Sequence, residues 1–145
     1  SDTGLMEGSE LTFDYGLVPH VGDWGDAEVY RAGREFNEPL IAYKATVHDG
    51  PLPARWGVIE LSPDHVVVSA LRAGEDGDMI VRVYEAAGKA AAGLRIAVTA
   101  AVESARVVDL VEDGVGEDLA LTDGGVQLDL APFEIVTIAL RLGVR

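Results

Sequence analysis

A succession of short segments rich in Val, Ile and Leu runs through most of the chain, at about residues 40–47, 56–61, 65–72, 79–86, 94–99, 104–111, 126–130 and 133–142. Gly, Pro and acidic residues separate them. Segments this brief and this regularly spaced can bury their apolar side chains only by stacking as layers, which predicts an all-β fold, an antiparallel β-sandwich. An earlier alternation adds a further strand: Leu11, Phe13, Tyr15 and Leu17 share one face, and Thr12, Asp14 and Gly16 take the other. "HVVVSAL" (65–71) is apolar on both faces and is expected to be a central, doubly covered strand, whereas "VQLDL" (126–130) alternates and should keep one face wet. "RAGEDGDM" between two strands fits an acidic hairpin turn. The Ala-rich "EAAGKAAAGLR" carries Gly88 and Gly93 and is expected to be a loop rather than a helix.

One stretch has a different period. In "VPHVGDWGDAEVYRAGREFNEPL" (18–40), Val29, Ala32, Gly33 and Phe36 make a helical stripe. Pro19 biases Val18 toward extended geometry, Gly22 permits a turn, and Asp23 is placed to act as N-cap of a helix from about Trp24 to Phe36. Asp26 and Glu28 suit its positive end, Arg31 and Arg34 its negative end, Asn37 a C-cap, and Pro39 forbids continuation. With 145 residues, no internal repeat and no linker, the expectation is an N-terminal segment (1–10) and a single β-sandwich domain (11–145) with one short α-helix near the N-terminus.

The balance of 11 basic against 25 acidic residues, a net charge of −14, argues against nucleic acid or anionic membrane as partners. No apolar run approaches the ~20 residues of a membrane helix, and "SDTGLMEGSE" lacks the features of a signal peptide. A soluble chain is expected, with a cytoplasmic location favoured. Cysteine is missing, so disulfides, thiol catalysis and thiolate metal sites are excluded. The Ser start fits a processed chain or a piece of a longer one. His20, His48 and His65 have none of the i, i+4 placement that sets two ligands on one helix face, and the acidic turns lack a calcium-loop pattern, so no metal site is expected. No nucleophile elbow, dinucleotide fingerprint or phosphate loop occurs, and no catalytic residue is expected. In "MIVRVYEA" the period of two sets Arg82 and Glu85 on opposite faces, so neither can partner the other; a structural or interface role is expected for each. His20, Asp23 and Trp24 fit a helix-starting turn, or alternatively a contact to a neighbouring domain or to sugar.

Taken in order, "FDYGLVPHVGDW", "EFNEPL", "VVVSALRAGEDGDMIVRVYEAAG", "VDLVED" and "LDLAPFEIVTIAL" resemble the C-terminal β domain of glycoside hydrolase family 38, the zinc-dependent retaining α-mannosidases. The resemblance spans about residues 11–145. It rests on the ordered set P-H-x-G-D-W (Pro19 to Trp24), N-x-P-L (Asn37 to Leu40), R-x-Y-E-x-x-G (Arg82 to Gly88) and P-F-E-I (Pro132 to Ile135). Leu11 stands where family members often carry a His. The resemblance implies that the aspartate nucleophile and zinc belong to an N-terminal catalytic domain. This chain would then need no cofactor of its own, would have that catalytic domain and the other domains of the same enzyme as partners, and would support hydrolysis without performing it. The alternative is a free-standing carbohydrate-binding β-sandwich that uses Trp24 or Trp56 as a stacking platform.

Overall fold

A computed structural model describes residues 8, 10–74, 77–112 and 116–143. One helix, α1 (Val29–Asn37), precedes eight strands among these residues: β1 (Ile59–Ser62), β2 (Val66–Ala73), β3 (Met79–Glu85), β4 (Ala91–Val98), β5 (Val102–Val108), β6 (Leu121–Thr122), β7 (Gly125–Leu130) and β8 (Ile135–Leu142). They form two four-stranded antiparallel sheets, ordered β1-β4-β7-β6 and β2-β3-β8-β5. The fold is an all-β sandwich with one short helix.

Period-two patterning explains the core. Val81 and Val83 of β3, Leu94 and Ile96 of β4, Val126 of β7, and Ile138 and Leu140 of β8 are fully buried and belong to one cluster that draws on both sheets. The outer face of the second sheet is also used. Ile80, Val108 and Ala139 form a small cluster there, and Arg82, in register with Thr137, donates to the Thr137 hydroxyl (2.9 Å) and to the Leu110 carbonyl (2.8 Å). β7 keeps one wet face as expected, with Gln127 and Asp129 exposed between Val126 and Leu130.

Several local expectations need correction. β2 is an edge strand rather than a central one, since it pairs only with β3. Its two apolar faces have another cause: Val66 and Val68 serve the core, while Val66 to Val68 also line a cleft of about 260 Å³ shared with Arg31, Arg34 and Glu35 of α1. β4 begins at Ala91, so part of the expected Ala/Gly loop is strand, irregular between Ala91 and Leu94 where Gly93 takes φ 68. The short β6 was not anticipated. Residues 11–17 and 40–47 form no strand, and residues 10–22 and 39–56 make no backbone–backbone hydrogen bond among the described residues.

The helix starts later than its apolar stripe suggests. Asp23 does cap, because its Oδ1 accepts from the Asp26 N–H at 2.8 Å, but what it caps is a single turn. That turn closes at Glu28, whose φ is 50, through hydrogen bonds from Val29 N–H to the Trp24 carbonyl (3.0 Å) and from Glu28 N–H to the Gly25 carbonyl (3.2 Å). This is the pair of bonds that ordinarily terminates a helix. α1 therefore begins after a left-handed break, without a side-chain cap, and has no buried residue. Arg31 ties it to the sandwich by donating to the Asp64 carbonyl.

Candidate functional site

Three of the sequence motifs meet at one end of the sandwich. Glu85 ends β3 on the face it shares with Val81 and Val83, and it is 1% exposed. A carboxylate in that position needs several donors. Three reach it within 2.9 Å: Oε1 accepts from the Ala87 N–H (2.7 Å), and Oε2 from the Gly88 N–H (2.8 Å) and the Phe133 N–H (2.9 Å), with the Lys89 N–H also turned toward the carboxylate. Burial pushes the Glu85 pKa up, but the donors from Phe133, Ala87, Lys89 and Gly88 outweigh it and hold the group below its ordinary value. Glu85 is thus a fixed anion joining the turn after β3 to the turn before β8.

The second turn is strained, and Glu85 restrains it. Glu134 N–H donates to the Ala131 carbonyl, and the Glu134 carboxylate accepts from the Ala131 N–H. Pro132 suits the leading corner of such a turn. Phe133 then adopts φ 62, a region that usually demands Gly. Its N–H is held by Glu85, and its ring lies over Gly88, where a Cβ would come within 2.6 Å of Phe133 Cζ. Gly88 itself has φ 72 and so could not be another residue without both strain and collision.

The first motif closes over this pair of turns. Trp24 stacks on Phe133 with ring centroids 6.3 Å apart and planes 19° from parallel. Both rings stay partly exposed, Trp24 at 46% and Phe133 at 61%. Gly25 is buried because the backbone passes close to Ala87, whose carbonyl oxygen would lie 3.3 Å from an added Cβ. Asp26 pairs with Lys89 at 2.9 Å. The Asp26 N–H lowers the Asp23 pKa, aided by the Gly25 N–H and by the nearby charges of Lys89 and His20.

Of the residues singled out from sequence, Asp23, Trp24 and Glu85 therefore converge, with exposed His20 beside Asp23. Arg82 does not join them; it lies on the outer face of the second sheet. The alternation had already separated it from Glu85. The sequence reads Asp26 only as a helix-end charge and Asp78 only as part of an acidic turn, and it does not single out Lys89; Asp78 is in fact buried and faces Arg141 (2.5 Å) and Arg106 (3.3 Å). The Arg141 contact is ionic rather than an aligned hydrogen bond. Its place beside Glu75 and Asp76 in an acidic turn gives no sign that Asp78 is buried.

All of Glu85's donors are backbone N–H groups, which a proton transfer to the carboxylate would strand. Zinc does not fit the site. Among the described residues no three His, Asp or Glu side chains gather to hold a metal, and His48 contacts the Asp49 carbonyl instead. No helix among the described residues is long and apolar enough to cross a membrane.

Glu85, Gly88 and Phe133, which form the clamp, lie within a stretch that a known family shares. Residues 65–138, just over half of the chain, match the C-terminal beta sandwich domain of glycosyl hydrolases family 38, and the chain belongs to that family. Alpha-mannosidase 2C1 of Homo sapiens is 32% identical over 149 residues, covering 98% of this chain and 13% of its own length. Alpha-mannosidase 2C1 of Mus musculus is 31% identical over 137 residues, covering 90% of this chain and again 13% of its own. The chain thus spans about 13% of the length of these relatives.

Proposed function

We propose that the chain is the C-terminal sandwich of an α-mannosidase-type glycoside hydrolase, and that it supports hydrolysis of α-mannosides without catalysing it. The family match carries this reading, and the site supports it. Retaining hydrolysis needs a nucleophilic carboxylate about 5–5.5 Å from an acid/base, whereas Glu85 is committed to three backbone donors. Zinc, in this reading, belongs to a preceding catalytic domain that is this chain's main partner. His20, Asp23 and Trp24 contact that domain, and Glu85 and Arg82 hold the sandwich in shape behind the contact. The test is hydrolysis of an aryl α-mannoside by the full-length polypeptide and by the 145-residue chain. Turnover by the former alone is expected; zinc-dependent turnover by the purified chain would overturn the reading.

A second reading has one observation in its favour. The stacked, half-exposed Trp24 and Phe133 rings could receive the apolar face of a sugar. Quenching or a spectral shift of Trp fluorescence on titration with α-mannosides, lost in Trp24→Ala, would favour a carbohydrate-binding role.

A further inference from the structure

Residues 11–17 carry a strand pattern that nothing in the fold uses. Leu11, Phe13, Tyr15 and Leu17 alternate with Thr12, Asp14 and Gly16, yet the backbone of 10–22 has no backbone partner among the described residues. The large side chains are conspicuously open, Tyr15 at 87% and Leu17 at 97%. An added Cβ on Gly16 would lie 3.6 Å from the Phe36 ring of α1, and residues 12–15 with Phe36 and Asn37 line an open cleft of about 590 Å³. Every residue from Leu11 to Leu17 is exposed, so neither face of the segment is covered.

We propose that in the full-length polypeptide residues 11–17 add as a strand to a sheet edge of the domain preceding this one, with Leu11, Phe13, Tyr15 and Leu17 as its buried row. This rests on the reading of the chain as the C-terminal part of a longer hydrolase. An apolar row that leaves water takes its backbone with it, and each desolvated N–H and C=O then needs a partner. An extended segment meets that need by pairing along an edge. The occupant is a segment of the same polypeptide for two reasons. The relatives are far longer than this chain, and the matched family is a C-terminal domain, so the remaining sequence lies mostly on the side of residues 11–17, where tethering makes the encounter intramolecular. A second copy would instead bring together two surfaces of net charge −14.

Residue-resolved hydrogen exchange of the full-length polypeptide and of the 145-residue chain tests this, alongside aryl α-mannoside hydrolysis. The expected result is exchange within 11–17 at least ~10-fold slower in the full-length protein, with the protection lost in Phe13→Asp. Should that variant fail to accumulate, Tyr15→Ser carries the same test. Equally fast exchange in both proteins, with mannosidase activity present, overturns the inference and leaves the functional reading standing. Protection in the 145-residue chain that rises with concentration and accompanies a dimer in sedimentation also overturns it, in favour of a second copy. Protection in a full-length protein that lacks mannosidase activity supports the pairing and removes the functional reading instead.

Discussion

At the scale of the residue, Glu85 decides most. Replacing it by Ala leaves three donors without their acceptor, each at about 1–3 kcal/mol when buried, and frees Phe133 from the bond that restrains its φ of 62. Glu85→Ala is expected to lower stability by at least about 3 kcal/mol in urea denaturation. The same residue sets a pH dependence. Its folded pKa lies below the ordinary 4.5, so the folded state binds the proton less readily than the unfolded chain. Its contribution is fully present above that ordinary value and is lost as pH falls through the lowered folded one. Denaturation midpoints measured from pH 7 to 3 should decline at the acid end, and Glu85→Gln should flatten that limb. Gly88→Ala is expected to cost about 1–3 kcal/mol through its positive φ alone, with more from collision with Phe133. It should also disturb the Trp24 stack, read as a change in Trp emission.

Between elements, stability is unevenly distributed. β3 and β8 are paired along their length and fill the core, whereas α1 has no buried residue and begins without a cap. Amides of α1 should exchange faster than those of Val81, Val83 and Ile138. Ile138→Ala, in the fully buried centre of β8, is expected to cost about 2–5 kcal/mol by thermal or chemical denaturation. The contrast also separates what sequence can say from what it cannot. Alternation in "MIVRVYEA" and "VQLDL" separated their faces correctly, because one face of each meets the main core and the other does not. It misplaced "HVVVSAL", since an apolar pattern on both faces reports what lies above and below a strand, here the core and the cleft beside α1, and not how many strands flank it. It ran the helix back to Trp24 because the stripe does not register a left-handed residue at Glu28. In the site, Glu85 was recognised as needing partners, but all its donors are backbone groups, which side-chain identity does not reveal.

For the whole molecule, far-UV circular dichroism of the chain should be dominated by β signal, and a helix-dominated spectrum would contradict the fold. The strand order has a further consequence. β8 is the last strand along the sequence, yet it lies between β3 and β5, the central position on which the second sheet depends. During synthesis, β3 and β5 therefore leave the ribosome with no strand to join them, and the second sheet can close only once residues 135–142 have emerged. The unjoined strands expose aggregation-prone edges in that interval. A premature stop before residue 135 should accordingly yield an insoluble product rather than a shortened sandwich, so that β8 acts as a checkpoint for the strands made before it.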